Sequence, residues 1–173
     1  MAFTFDSTPS SSVSNSYLSV TEADDYFAGR FGADKWMTFS NTQKQQLLVT
    51  ATKQLDTAVY GGRRAKQIQP LQWPRFGLAD SDGYAISDLT IPTKVKEATC
   101  EMAYWIWTEE DRLLSDTEIL QVDTYKVGPI DVQVNKERIV FPPKVEEMIK
   151  SIGPGVLVGD STANTIHSVR LSR

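Results

Sequence analysis

Covalent chemistry needs a nucleophile, a base and a group that orients the base, and few residues in this chain could supply them. The single histidine, His167, stands in a stretch of small, polar and β-branched residues that offers neither nucleophile nor orienting partner. The single cysteine, Cys100, falls inside a helical pattern, where a small buried thiol is expected. These counts exclude an internal disulfide framework and a zinc site built on cysteine or histidine clusters. Asp80-Ser81-Asp82-Gly83 has the opening of a calcium loop, but Leu89 occupies the place of its required glutamate, so a tight turn with Gly83 at positive φ is expected. Glu109-Glu110-Asp111 could suggest paired carboxylates. Successive helical residues point about 100° apart, so a solvated face or a contact with basic groups fits better. Gly61-Gly62-Arg63-Arg64 lacks the Lys-Ser/Thr of a phosphate loop. No catalytic, cofactor-binding or metal-ligating set is expected, and no enzyme.

Binding is the remaining chemistry. Arg63, Arg64, Lys66 and Arg75 are interleaved with Trp73 and Phe76, and aromatics beside cations can stack bases and hold phosphates of single-stranded nucleic acid. The same residues could instead form ion pairs within the chain or with another protein. The formal net charge of −4 argues against strong non-specific attraction to nucleic acid overall.

The elements that must position these residues are mainly helical. Ser19 with Glu22, and Ser40 with Gln43, make two capping boxes. The first predicts a short helix ending near Gly29, whose aromatics Tyr26, Phe27 and Phe31 need partners such as Trp36. The second opens a helix whose Leu47, Leu48, Ala51, Leu55, Ala58 and Val59 form one apolar stripe, stopped by Gly61-Gly62. Pro92 is expected at the first position of a third helix, with Val95, Ala98, Met102, Ile106 and Leu113 inward. Tyr104, Trp105 and Trp107 spread round its other sides, which predicts cover by a neighbouring subunit or by the loop preceding the helix.

That loop, roughly thirty residues from Gly61 to Ile91, far exceeds an ordinary helix–helix connection. It carries Leu71, Trp73, Phe76, Tyr84, Ile86 and Ile91, so it is expected to be ordered and pinned by its own apolar residues. Further on, Leu120–Val127 and Ile130–Val134 alternate as a hairpin about Gly128-Pro129, with a third strand conceivable near Ile139-Val140-Phe141. Lys144–Ile152 reads as a short helix. The Ser-rich residues 7–16 read as a flexible arm. The expected class is therefore mainly α: a small helical bundle with a long ordered loop, a β-hairpin insertion and extended terminal arms. Its parts are a flexible N-terminal arm (1–16), a helical body (17–114), the hairpin and short helix (115–152) and an extended C-terminal arm (153–173). No apolar run reaches membrane-spanning length and Met1–Asp6 has no signal-peptide character, so a cytoplasmic site of synthesis and assembly is expected.

The run Ser19-Val20-Thr21-Glu22-Ala23-Asp24-Asp25-Tyr26-Phe27, then Ala51-Thr52, Leu71-Gln72-Trp73-Pro74-Arg75, Asp82-Gly83 and Ile91-Pro92 before Val95-Lys96 and Ala98, resembles the head-to-tail adaptor (connector) proteins of tailed bacteriophages. Members of that group also carry the label DnaT-like single-stranded DNA-binding. The resemblance covers roughly residues 17–140. It implies a structural virion protein at the head–tail junction, a ring of about twelve copies whose partners are the portal protein on one side and the tail or a stopper or nozzle protein on the other. Packaged DNA would pass through the ring without sequence-specific binding. The alternative that the label implies is a single-stranded DNA-binding module. In the ring reading Ile166, Val169, Arg170, Leu171 and Arg173 form a candidate portal-docking arm. Trp73, Arg75, Trp105 and Trp107 are candidate subunit-interface residues or loop anchors, and Arg63, Arg64 and Lys66 a candidate basic patch. No cofactor and no membrane partner is expected.

Overall fold

In a computed structural model of the chain, residues 3–108, 124–127, 130–133 and 141–158 are described. Both capping boxes form. Ser19 accepts from the Glu22 backbone N–H while the Glu22 carboxylate accepts from Ser19 N, and this opens α1 (Val20–Ala28). Ser40 and Gln43 do the same for α2 (Asn41–Leu55). Reciprocal capping satisfies two N–H groups that a helix start otherwise leaves orphaned. Between these helices a 3-10 turn, Asp34–Thr38, carries Trp36 into the core.

α2 ends earlier than its apolar stripe predicts. Asp56 is the cap, and Val59 is exposed. The stop arises from tertiary contacts: the Tyr60 hydroxyl donates to Leu55 O at 2.9 Å, and the Asp56 carboxylate accepts from the Tyr17 hydroxyl and from Gln72 N. Gly62, at φ 63°, then turns the chain into β1 (Arg63–Arg64), paired antiparallel with β2 (Arg75–Phe76).

α3 (Thr93–Thr108) is the hub: α1, α2 and α4 (Pro143–Lys150) all pack on it. Pro92 caps it from one residue before the helix, its carbonyl accepting from Val95 N and Lys96 N. Val95, Ala98, Met102 and Ile106 are buried as expected, and Leu113 lies outside the described residues. Trp107 is buried too. It packs against Phe27 (5.0 Å between ring centroids), Trp36 (5.6 Å) and Phe39 (5.7 Å), so its cover comes from α1 and the 3-10 turn. That corrects the expectation of a neighbouring subunit or the long loop over this ring. Its low exposure follows from an offset aromatic cluster, which gains attraction beyond the area it buries.

The hairpin pairs β3 (Thr124–Val127) with β4 (Ile130–Gln133), Val127 opposite Ile130. The turn residues Gly128-Pro129 and the possible strand residues Ile139-Val140 lie outside the described residues, as does Glu109-Glu110-Asp111.

Both expected arms are shorter than read from the sequence. Residues 4–16 are not a flexible arm but a hydrogen-bonded knot: the Asp6 carbonyl accepts from Asn15 N (2.8 Å) and Ser16 N (3.1 Å), its carboxylate accepts from Thr8 N, and Ser14 and Ser16 are buried. Polar side chains substitute here for the apolar burial that the composition lacks. At the other end, Gly153–Val158 belongs to the body. Tyr60 bridges Leu157, Gly61 N donates to Val156 O and Val158 N to Val59 O. The rest of the proposed C-terminal arm, including Ile166, His167, Val169, Arg170, Leu171 and Arg173, lies outside the described residues.

Candidate functional site

The loop after α2 is held by three polar side chains, Gln69 and Arg75 buried and Asp56 half-buried. Gln69 donates to Leu71 O and Pro74 O, while its side-chain oxygen accepts from Lys66 N, closing residues 66–74 on themselves. Asp56 receives Gln72 N. Arg75 does most. Its Nε donates to Gly61 O (2.6 Å), one terminal nitrogen to Gln72 O and Oε1, and the other to Tyr60 O and Gly62 O (3.1 Å each). A guanidinium has five N–H donors, and all five are spent on the chain itself. Burial lowers the pKa of Arg75, opposed by the nearby Tyr17 and Tyr60 rings.

Trp73 is 1% exposed and packs edge-on to Tyr60 at 5.6 Å, through a cis peptide to the buried Pro74. Trp73 and Arg75 therefore sit as loop anchors, the other of the two roles considered for them: the Trp73 ring is buried, its Nε1 enclosed without a hydrogen-bond partner among the described residues, and the Arg75 donors are all taken. Leu71 and Ile91 are buried as well, whereas Phe76 and Tyr84 are exposed.

The basic patch divides accordingly. Arg63, Arg64 and Lys66 are exposed, and Arg75 is not. Arg63 lies opposite Phe76 in the strand register, with its guanidinium carbon 4.8 Å from the ring centroid. Opposite residues of an antiparallel pair share a face, so Arg63 and Phe76 form one outward pair, while Arg64, on the other face, donates to Gln69 O. Beyond β2, Asp80-Ser81-Asp82-Gly83 is the expected turn. Gly83 has φ 88°, and Asp80 Oδ1 accepts from Asp82 N and Tyr84 N, which closes the turn.

A second charged cluster was not anticipated from the sequence. Glu101, 4% exposed in mid-α3, receives Arg30 Nε (2.6 Å) and Nη2 (2.9 Å), the Tyr26 hydroxyl and Lys144 Nζ (2.8 Å). Burial alone would raise its carboxyl, but these donors hold it down at about 2. The same contact raises Arg30, and burial together with Glu101 raises Tyr26. A carboxylate locked by Tyr26 of α1, Arg30 just beyond its end and Lys144 of α4 fastens helices and has no proton to exchange near neutrality. The available signal was an acidic residue set among Cys100, Met102 and Ala103 in the middle of the helix.

Trp105 is half-buried. Cys100 is buried, which pushes its thiol pKa well up. Among the described residues no group of histidine, cysteine and carboxylate side chains could hold a metal, and no helix is long and apolar enough to cross a membrane.

A family model described as "Putative DnaT-like ssDNA binding protein" matches residues 1–173. No curated protein and no solved structure matches the chain. With the match running from end to end, the chain belongs to this DnaT-like family.

Proposed function

We propose that the chain is a structural subunit of a homo-oligomeric head-to-tail adaptor ring in a tailed-bacteriophage virion, seated between portal and tail, and not an enzyme. The observation that carries this reading is how side chains are distributed. Phe31, Met37, Val59, Ile68, Tyr84 and Leu89 are large, apolar and exposed on segments outside α1–α4, while Glu101, Asp56, Arg75 and Asp80 are committed to internal contacts. Where such residues gather into contiguous apolar surface they mark contact with other chains, and in this reading the neighbouring subunits cover them. The resemblance carried by Trp73-Pro74-Arg75 and Ile91-Pro92 supplies the rest. In this reading the ring forms by a heterologous interface that closes on itself, and residues 161–173 dock on the portal. Electron-microscope class averages of the purified protein, alone and mixed with portal, test the ring. Deleting residues 161–173 tests the arm: portal binding unchanged by the deletion removes that role, and absence of rings under both conditions removes the reading.

A second reading, single-stranded DNA binding, follows the family's description and is favoured by one observation, the exposed Arg63–Phe76 pair beside Lys66. It predicts salt-sensitive binding of oligonucleotides by the intact chain.

A further inference from the structure

Half of the cations with described side chains have a carboxylate partner: Arg30 and Lys144 on Glu101, Lys44 on Asp24, Lys96 on Glu22, Lys94 on Glu97 and Lys150 on Glu146. Arg63, Arg64 and Lys66 have none among those residues, although they fall within four consecutive positions. Asp56, whose carboxyl feels the charge of Arg64, accepts from the Tyr17 hydroxyl and Gln72 N and forms no ion pair with these side chains. Three exposed cations with no carboxylate contact among the described residues therefore stand near Phe76, which is 50% exposed.

We propose that this β1–β2 ribbon is a contact site for single-stranded nucleic acid, with Phe76 receiving one base, Arg63 beside it meeting a phosphate, and Arg64 and Lys66, exposed round the ribbon edge, adding backbone contacts. The inference rests on the second reading above and locates it. A charge patch alone would suit a duplex equally well. The ring decides for a single strand, because a base can stack on a side chain only when it is unpaired, and Arg63 over Phe76 supplies a cation–π platform for it. Recognition is non-sequence-specific, since any base presents a π face and the cations meet only backbone. Arg75 and Trp73 act as scaffold: Arg75 grips the Tyr60, Gly61 and Gly62 carbonyls just before β1 and so holds the register that puts Arg63 over Phe76.

The test is fluorescence anisotropy of a labelled thymine oligonucleotide with the full chain, at several salt concentrations. The comparison variants are Phe76→Ala and the triple variant Arg63→Ala, Arg64→Ala, Lys66→Ala. All four positions are exposed, and unchanged circular dichroism confirms that the variants fold. The expected result is that the triple variant loses about two units of the log–log salt slope. Phe76→Ala should bind roughly tenfold more weakly, and a duplex of equal length should compete less well than the single strand. If wild type binds and both variants bind equally well, the site is wrong while the single-strand reading stands. If wild type fails to bind even at low salt, both fall. If only the triple variant is impaired, the base contact is overturned.

Discussion

Arg30 closes a two-pronged contact on Glu101, bringing the end of α1 onto the middle of α3 through Nε and Nη2 at 2.6 and 2.9 Å. Planar bidentate geometry makes this stronger than a point contact, and Lys144 adds α4 to the same carboxylate. Glu101→Gln keeps the shape and removes the charge. It leaves Arg30 and Lys144 without their counter-ion, and should cost about 3 kcal/mol, toward the low end for a broken buried pair because both cations reach solvent. The pH dependence has a definite sign. With the folded carboxyl at about 2 and the unfolded value near the ordinary 4.3, the contribution is complete above about pH 4.5 and lost as pH falls toward 2. Chemical denaturation across that range should show wild type losing stability on acidification and Glu101→Gln losing much less.

Helix starts were legible because a capping box is a local device: Ser19/Glu22 and Ser40/Gln43 need nothing beyond their own turn. The burial of Val95, Ala98, Met102 and Ile106 was legible by the same logic of period. Ends and cover were not. Whether α2 stops at Asp56 or continues to Gly61 depends on Tyr17, Tyr60 and Gln72 arriving from elsewhere. Trp107 could face a neighbour or its own chain, and only the placing of Phe27, Trp36 and Phe39 decides. The Ser-rich segment misled for a plainer reason: composition counts apolar area, whereas Asp6 and Asn15 order it through backbone hydrogen bonds. At the candidate site, residue type singled out four cations but could not separate Arg75, spent on carbonyls, from Arg63, which is not.

Arg75 should be irreplaceable by lysine. Four backbone carbonyls, those of Tyr60, Gly61, Gly62 and Gln72, depend on one fork. An ammonium has three donors in a different geometry and cannot reach all of them. Arg75→Lys and Arg75→Ala should both lower the melting temperature, each costing at least about 2–3 kcal/mol from stranded carbonyls. A lysine variant as stable as wild type would show that the fork is not what holds the loop.

The Gly153–Val158 strap depends on two glycines with no room for a side chain. A Cβ at Gly61 would drive into the Gly155 carbonyl, and one at Gly153 into the Ala79 carbonyl. Both obstacles are backbone, so neither can swing aside. Gly61→Ala and Gly153→Ala should each destabilise by about 1–3 kcal/mol and speed amide exchange at Val158, whose N–H is held by Val59 O. Gly77→Ala is the control: nothing lies near its Cβ, though its φ of 83° still makes alanine costly, so it should lower stability without exposing Val158.

Asp56 should oppose Glu101 in its response to pH. Burial raises its carboxyl, and the Tyr17 hydroxyl, Gln72 N and the positive charges of Arg75 and Arg64 only partly offset that. A group whose folded pKa lies above the unfolded value contributes stability that is present below the unfolded value and lost as pH rises through the folded one. The loss therefore begins near the ordinary aspartate value of about 4 and grows upward. Asparagine keeps an acceptor for Tyr17 and Gln72 without carrying charge. Relative to wild type, Asp56→Asn should gain stability as pH rises above about 4, read from urea midpoints at matched ionic strength. Wild type gaining over the variant with rising pH would mean that the ionised carboxylate is the form this fold prefers, and that burial does not dominate at this helix end.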